Sequence, residues 1–551
     1  MRYARIPIVL VLALCLCSCS IQPLFDWDVL LDLPLDGGQD EIKRENPMLD
    51  ELHFSLPDSD IEEFYAGLSQ CKAIYEKCHK SYADELEDAL YELEWLLSWF
   101  SDQRDVTDLL LLYDTADEQA RQNDLYAQKV YTQLHTDYWN AINDMKRSSN
   151  PLTPTVVAFL DEVYPNRMPL YYDNDEYETR MTELESAFSA YNGKGSAEKV
   201  HDIYVEYVEA ANLYAKSYGY DNYYECASDL YYRRNYGKEE RDKLRAYVKE
   251  YLVPLYREYD RLWESKRSAM SFWERMQSDR YHDDSYDTVA KEALFAYFDS
   301  LPEGVGEAMR VPFDENKILY GDRSGSVKTA MVTTLGEEYV CYFHEDFLDL
   351  VTVAHEMGHY YANTTHGTDA DIAQDLKEAH SQTSSLLMLR YLRDEIGTEA
   401  FAAYELYEVG NLLYQAISST IKDEFDEIVF SLPDVTDYTV EQLNEIMEGL
   451  IEKYGIGASE GDMRRQLRTY WHRQGIDRPA YFISYGVSAV VAMEIYHKSE
   501  NDYAAATECY QRLVERSRAG FDIDAVAVLV GLHSPFDEQC YEQLADIHLT
   551  K

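Results

Sequence analysis

Residues 351–360 read VTVAHEMGHY, and residues 375–382, on the next helical stretch, read DLKEAHSQ. His355, Glu356 and His359 form an H-E-x-x-H motif. On a helix, two histidines four residues apart sit about 40° apart around the axis and about 6 Å apart along it. Two imidazoles on one face can grip one ion, and zinc takes His nitrogen while a catalytic site keeps a position for water. Glu356 points off that stripe but stays within reach of such a water, which is the geometry of a metal-activated hydrolase. Chance matches in a chain with 14 His number below about 0.1. The approach is apolar at helical spacing (Leu348, Val351, Ala354), so the motif is expected on a buried helix, where lone His and Glu would be costly.

A third ligand is needed. A second helix is expected to start near Thr368, where Thr368 and Asp371 have capping-box spacing. Ile372, Leu376 and Ala379 form its apolar face. A helix, a bend and an antiparallel return can bring Glu378 opposite the two histidines. Spacing alone leaves Asp371, Asp375 and His380 as alternatives.

The pattern D-x-x-T-x-x-H-E-x-G-H over Asp349–His359, followed by E-A-H-S-Q over Glu378–Gln382, resembles the thimet oligopeptidase and oligoendopeptidase F family of zinc peptidases. The resemblance implies one Zn2+ per chain held by His355, His359 and Glu378. It also implies a mainly α, multi-helix zinc peptidase fold with a deep substrate channel and a small β-sheet next to the H-E-x-x-H helix. Residues 326–334 and 338–343 are β-branched and aromatic around a turn at 335–337, and read as a hairpin. By resemblance it is a platform on which an extended peptide pairs.

A second cluster lies at 470–485, YWHRQGIDRPAYFISY. Phenol and imidazole donors are what a zinc hydrolase needs to hold an oxyanion. The stretch resembles the family's C-terminal H…P-F-Y-x-x-x-Y segment, which implies that Tyr485, Tyr481 and His472 serve that purpose. Tyr218–Glu225 resembles the aromatic opening of the family's catalytic domain, and Val530–Asp537 its ending. The implied function is hydrolysis of oligopeptides by a zinc endopeptidase, with Glu356 as the base. The rival reading is a non-catalytic helical lipoprotein that binds peptides or another protein; a zinc hydrolase acting on a different bond is a third.

The rest of the chain sets the context. Its 551 residues are 46% hydrophobic, which is globular composition. Its 49 Tyr read mostly as core edge. A formal charge of −52 argues against nucleic acid, whose phosphates would be repelled, and favours cationic over anionic substrates. Arg2, Arg5 and the apolar run 8–16 read as a signal peptide, and L-C-S-C over residues 16–19 resembles a bacterial lipobox. The expected product is an extracytoplasmic protein, cut after residue 18 and lipid-anchored to the membrane at Cys19, with Cys17 the alternative. The expected order is a leader (1–18), a Pro- and Gly-bearing tether (19–57), an N-terminal helical region (58–195) opened by a capping box at Ser59 and Glu62, and a catalytic domain (196–551). Cys71 and Cys78 read as sharing one helix, about 10 Å apart, beyond the ~7 Å limit for a disulfide.

Overall fold

The structure is a computed structural model. It describes residues 54–113, 118–163, 175–189, 191, 196–266, 286–315, 317–320, 329–334, 337–342, 349–367, 372–396, 398–458 and 460–549. The leader, Cys17 and Cys19, nearly all of the tether, and residues 368–371 with their expected capping box lie outside these. Among the described residues no helix is long and apolar enough to cross a membrane.

The chain divides into two compact units, one drawing on Gln39–Asp175 and Val311–His344, the other on Glu176–Arg310 and Glu345–Lys551. Residues 176–195 therefore group with the second unit, and the strand-bearing segment groups with the first, unlike the linear split at residue 195. The physical reason is that a strand of the first unit packs on one of its own long helices.

In the first unit, α1 (Asp58–Glu76), α2 (Ala83–Tyr113), α3 (Glu118–Arg147) and α4 (Thr153–Val163) share one core. Leu86, Leu90, Leu93 and Leu97 repeat at the spacing of one helical face and are fully buried. They meet Phe64 and Leu68 of α1, Tyr138 and Ile142 of α3, and Phe159 of α4. Two local expectations are corrected. The first helix is capped by Pro57, extended at φ −71° and ψ 148°, so Ser59 lies inside the first turn and bonds Asp60 instead of capping. Proline's fixed φ sets the helix entry two residues early. The same helix ends at Glu76, and Cys78 lies beyond it with φ 54°. Cys71 and Cys78 are nonetheless both free thiols.

Three strands complete this unit: β1 (Ile318–Tyr320), β2 (Thr329–Thr334) and β3 (Glu337–Tyr342). The order is β1-β3-β2; β2 and β3 are antiparallel, with Met331 opposite Val340, and β1 joins β3 in parallel. Glu337, expected in the turn, is the first residue of β3 and pairs with Thr334.

In the second unit, α5 (Asp175–Ser189) and α6 (Ala197–Ser217) precede α7 (Tyr223–Cys226), which continues as a π-helical turn over Ala227–Tyr231. There Tyr232 N–H reaches back five residues to the Ala227 carbonyl at 3.0 Å. Next come α8 (Lys238–Tyr247), a second π turn (Val248–Leu252), α9 (Val253–Lys266), α10 (Tyr286–Ser300) and α11 (Val305–Asp314), whose residues from Val311 on group with the first unit. The centre is built by α12 (Asp349–His366), α13 (Gln374–Ile396), α14 (Thr398–Phe430) and, further on, α17 (Ile483–Asn501). Around it lie α15 (Val440–Lys453), α16 (Gly461–Gln474), α18 (Tyr503–Arg516), α19 (Ile523–Leu529) and α20 (Glu538–Leu549). Helix α17 is buried on every face from Ile483 to Tyr496, as expected of a helix without a polar stripe. It packs against α13, α14 and α18.

Gly358 sets how closely α12 approaches α13. A Cβ there would lie 2.8 Å from the Ser381 Cα, 2.9 Å from the Ser384 Cβ and 3.0 Å from the His380 carbonyl oxygen. Two of these are backbone atoms, so the helices themselves must move. Gly358→Ala is therefore expected to destabilise the fold by about 1–3 kcal/mol, although alanine is the better helix former. Denaturant midpoints of the two proteins check this; an unchanged or raised midpoint would show that the contact is not tight.

Candidate metal centre

The close approach at Gly358 brings Glu378 of α13 against the histidine stripe of α12. One ligand atom each from His355, His359 and Glu378 lie within 4.8 Å of one another, and all three residues are buried. The two imidazoles stand nearly perpendicular, 80° apart, with ring centres separated by 5.1 Å. Burial depresses both. His355 falls well below the ordinary histidine value, through loss of solvent and then the neighbouring His359. His359 drops to about 3, through loss of solvent and then the Lys377 charge. Both rings are thus neutral near pH 7, the form that offers a nitrogen lone pair to a metal.

The Glu378 carboxylate is oriented by its neighbours. Its Oε1 accepts from Tyr481 Oη at 2.6 Å and from Gln374 Nε2 at 3.2 Å. Such partners fix a ligating carboxylate and tune the metal. Glu356 differs: it is fully buried, and among the described residues neither carboxylate oxygen has a hydrogen-bond partner. Burial, then repulsion from Glu378, holds its proton well above the ordinary carboxylic range. A buried acid without partners is expensive unless something polar completes it. The His–His–Glu donor set, its closeness and the orphaned Glu356 all fit a metal ion carrying a water.

The alternatives for the third ligand have other partners. Asp375 is paired with Arg234 at 3.1 Å and accepts from Tyr236 and Ser484, each at 2.6 Å. His380 Nε2 lies 2.8 Å from Ser517 Oγ. Asp371 is outside the described residues.

Tyr481 and Tyr485 reach the centre together. The Tyr481 and Tyr485 hydroxyl oxygens lie 3.3 Å apart, and the rings meet edge to face at 5.4 Å. Helix α17 carries Tyr485 one turn beyond Tyr481, and α17 is held close to α14 by Gly486, where a Cβ would lie 2.6 Å from Thr420 Oγ1. His472 sits on α16, with its ring edge-on to Trp471. The sequence reading missed Gln374 and Arg234. Neither belongs to a spacing pattern, and Arg234 gains its meaning only from residues remote in the chain.

No family model and no curated protein matches the chain. Among solved structures, PZ peptidase A with an inhibitor aligns over 92% of this chain and 98% of its own, at 16% identity and TM-score 0.60. A protein assigned as oligoendopeptidase F in Bacillus anthracis aligns over 93% and 97%, at 15% identity and TM-score 0.57. Trypanosoma cruzi metallocarboxypeptidase 1 aligns over 86% and 100%, at 13% identity and TM-score 0.56. The chain therefore has the mainly helical fold of these peptidase structures.

Proposed function

We propose that this protein is a zinc-dependent endopeptidase that hydrolyses oligopeptides. The observation that carries the reading is the buried His355–His359–Glu378 group with the Glu356 carboxyl, which has no partner among the described residues, on the histidines' helix. His355, His359 and Glu378 would hold the ion. Bound there, zinc supplies a Lewis acid for the scissile carbonyl and lowers the pKa of a water. As the carboxylate, the form that the charge of a bound ion would favour, Glu356 would take the proton of the attacking water and give it to the leaving amine. Tyr485, backed by Tyr481, donates to the carbonyl oxygen as it gains charge. The burial of all these groups keeps bulk water from competing for their hydrogen bonds.

The reading includes a substrate channel narrow enough to admit peptides and exclude folded proteins, and an extended peptide pairing with the outer strand β2. It also includes export, removal of residues 1–18, and a lipid anchor at Cys19. The strongly negative charge favours cationic peptides and disfavours nucleic acid.

Incubating the purified protein with zinc and a varied set of ten-residue peptides, with products read by mass spectrometry, tests the activity. Internal cuts support the endopeptidase. Removal of single C-terminal residues would point instead to a carboxypeptidase, and zinc binding without cleavage to the binding lipoprotein. Tyr485→Phe is expected to lower kcat about 10- to 100-fold with KM nearly unchanged. That is less than the ~10²–10³ of a lone oxyanion donor, since zinc and Tyr481 share the load. A rise in KM alone would place Tyr485 in ground-state binding.

A further inference from the structure

Arg234 lies beyond the π turn at Ala227–Tyr231, and its side chain is only 1% exposed. Its guanidinium uses all three nitrogens. Nε donates to Asp375 Oδ1 at 3.1 Å, and Nη1 donates to the Ala480 carbonyl at 2.6 Å. Nη2 donates to the Tyr481 carbonyl at 3.2 Å and to Ser484 Oγ at 2.8 Å. One planar fork thus ties the first turn of α13, which carries Glu378, to the segment that carries Tyr481.

The residues around it close the same link. Tyr232 lies under the guanidinium at 4.7 Å and donates its hydroxyl to the Pro479 carbonyl at 3.1 Å. The Tyr232 carbonyl accepts from Gln374 N–H at 3.1 Å, and Gln374 itself bonds Glu378. Ser484 Oγ and Tyr236 Oη both donate to Asp375, each at 2.6 Å.

The segment held in this way is strained. Ala480 has φ 63°, a left-handed conformation that alanine rarely adopts. Such a residue persists where its surroundings over-determine it. Here Arg234 holds its carbonyl, and Asp426 Oδ2 accepts its N–H at 3.1 Å. The next residue is Tyr481, whose hydroxyl lies 2.6 Å from Glu378 Oε1.

We propose that Arg234 is a positioning residue, which holds the Ala480–Ser484 backbone so that Tyr481 meets Glu378 and Tyr485 faces the reacting carbonyl. This rests on the metallopeptidase reading for its kinetic consequence only. Lysine keeps the charge but cannot reproduce the planar fork, so Arg234→Lys separates ion pairing from positioning.

The experiment compares full-length wild type, Arg234→Lys, Tyr481→Phe and the double variant, by two readouts. The first is steady-state cleavage of a quenched peptide. Arg234→Lys is expected to lower kcat about 10- to 100-fold with KM within about threefold, as a small misplacement does. The double variant is expected to fall no further than the weaker single variant, because one path is broken twice. The second readout is the visible absorption of the Co2+-loaded proteins, which reports how Glu378 meets the ion. Arg234→Lys is expected to shift those bands as Tyr481→Phe does. Multiplying kcat losses in the double variant, or Arg234→Lys bands identical to wild type with only the melting temperature lowered, would overturn the proposal. Should Arg234→Lys fail to fold, Ser484→Ala removes one guanidinium acceptor and takes its place with the same expectations. Should wild type cleave no peptide, the peptidase reading fails, and the Co2+ spectra still decide the positioning.

Discussion

Replacing Glu356 with Gln is expected to abolish nearly all peptide cleavage, with kcat/KM falling about 10²- to 10⁴-fold, while one zinc stays bound per chain. The expectation follows from what the side chain lacks. Glu356 is fully buried, beside the ligand pair and on the same helix, yet neither oxygen has a partner among the described residues. A carboxyl in that state has no structural task that the amide cannot perform. Glutamine has the same shape and no charge to desolvate, so the variant should fold at least as well as wild type. Kinetics on a quenched peptide, elemental analysis for zinc and a thermal melt together check the three parts. Retained activity would remove Glu356 from the base's role; lost zinc would mean that the change had acted through the ligands.

Glu378→Ala is expected to release the metal, and activity with it. Changing a residue that merely orients a ligand costs about 10–100-fold in metal affinity, and removing the ligand itself should exceed that. The contrast with its neighbours makes the test specific. Asp375 belongs to the Arg234, Tyr236 and Ser484 network, and His380 to Ser517. Asp375→Asn and His380→Ala should therefore keep the metal, whatever they do to stability. Competition titrations against a zinc chelator of known affinity measure all three. Tighter binding in Glu378→Ala than in Asp375→Asn would contradict the assignment of the third ligand.

The parts of the centre that were legible in the sequence are those carried by local periodicity. His355 and His359 fall on one face because a helix has 3.6 residues per turn, and the apolar approach to them already implied burial. The same spacing runs through Leu86, Leu90, Leu93, Leu96 and Leu97 of α2, of which all but the half-buried Leu96 are buried. Choosing Glu378 over Asp375 was beyond spacing alone. Both are buried carboxylates of α13, and what separates them is a guanidinium 141 positions away from Asp375. The resemblance favoured Glu378, and the contacts of the two side chains give the physical reason. Arg234 itself left no trace in the sequence, since its acceptors Tyr481 and Ser484 lie 247 and 250 positions on. Local signals misled where a single residue outweighed a pattern: Pro57 fixed the start of α1 ahead of Ser59. The unit division was also hidden, because residues 311–344 group with helices far earlier in the chain.

The central claim is that peptide hydrolysis depends on one metal ion held by His355, His359 and Glu378. The most direct measurement strips the purified protein with a chelator and returns Zn2+ in steps, following cleavage of a quenched ten-residue peptide at each step. The account predicts no activity in the stripped protein and a linear recovery that levels off at one Zn2+ per chain. Undiminished cleavage after the metal is removed, or one bound Zn2+ with no cleavage across a varied peptide library, would contradict it.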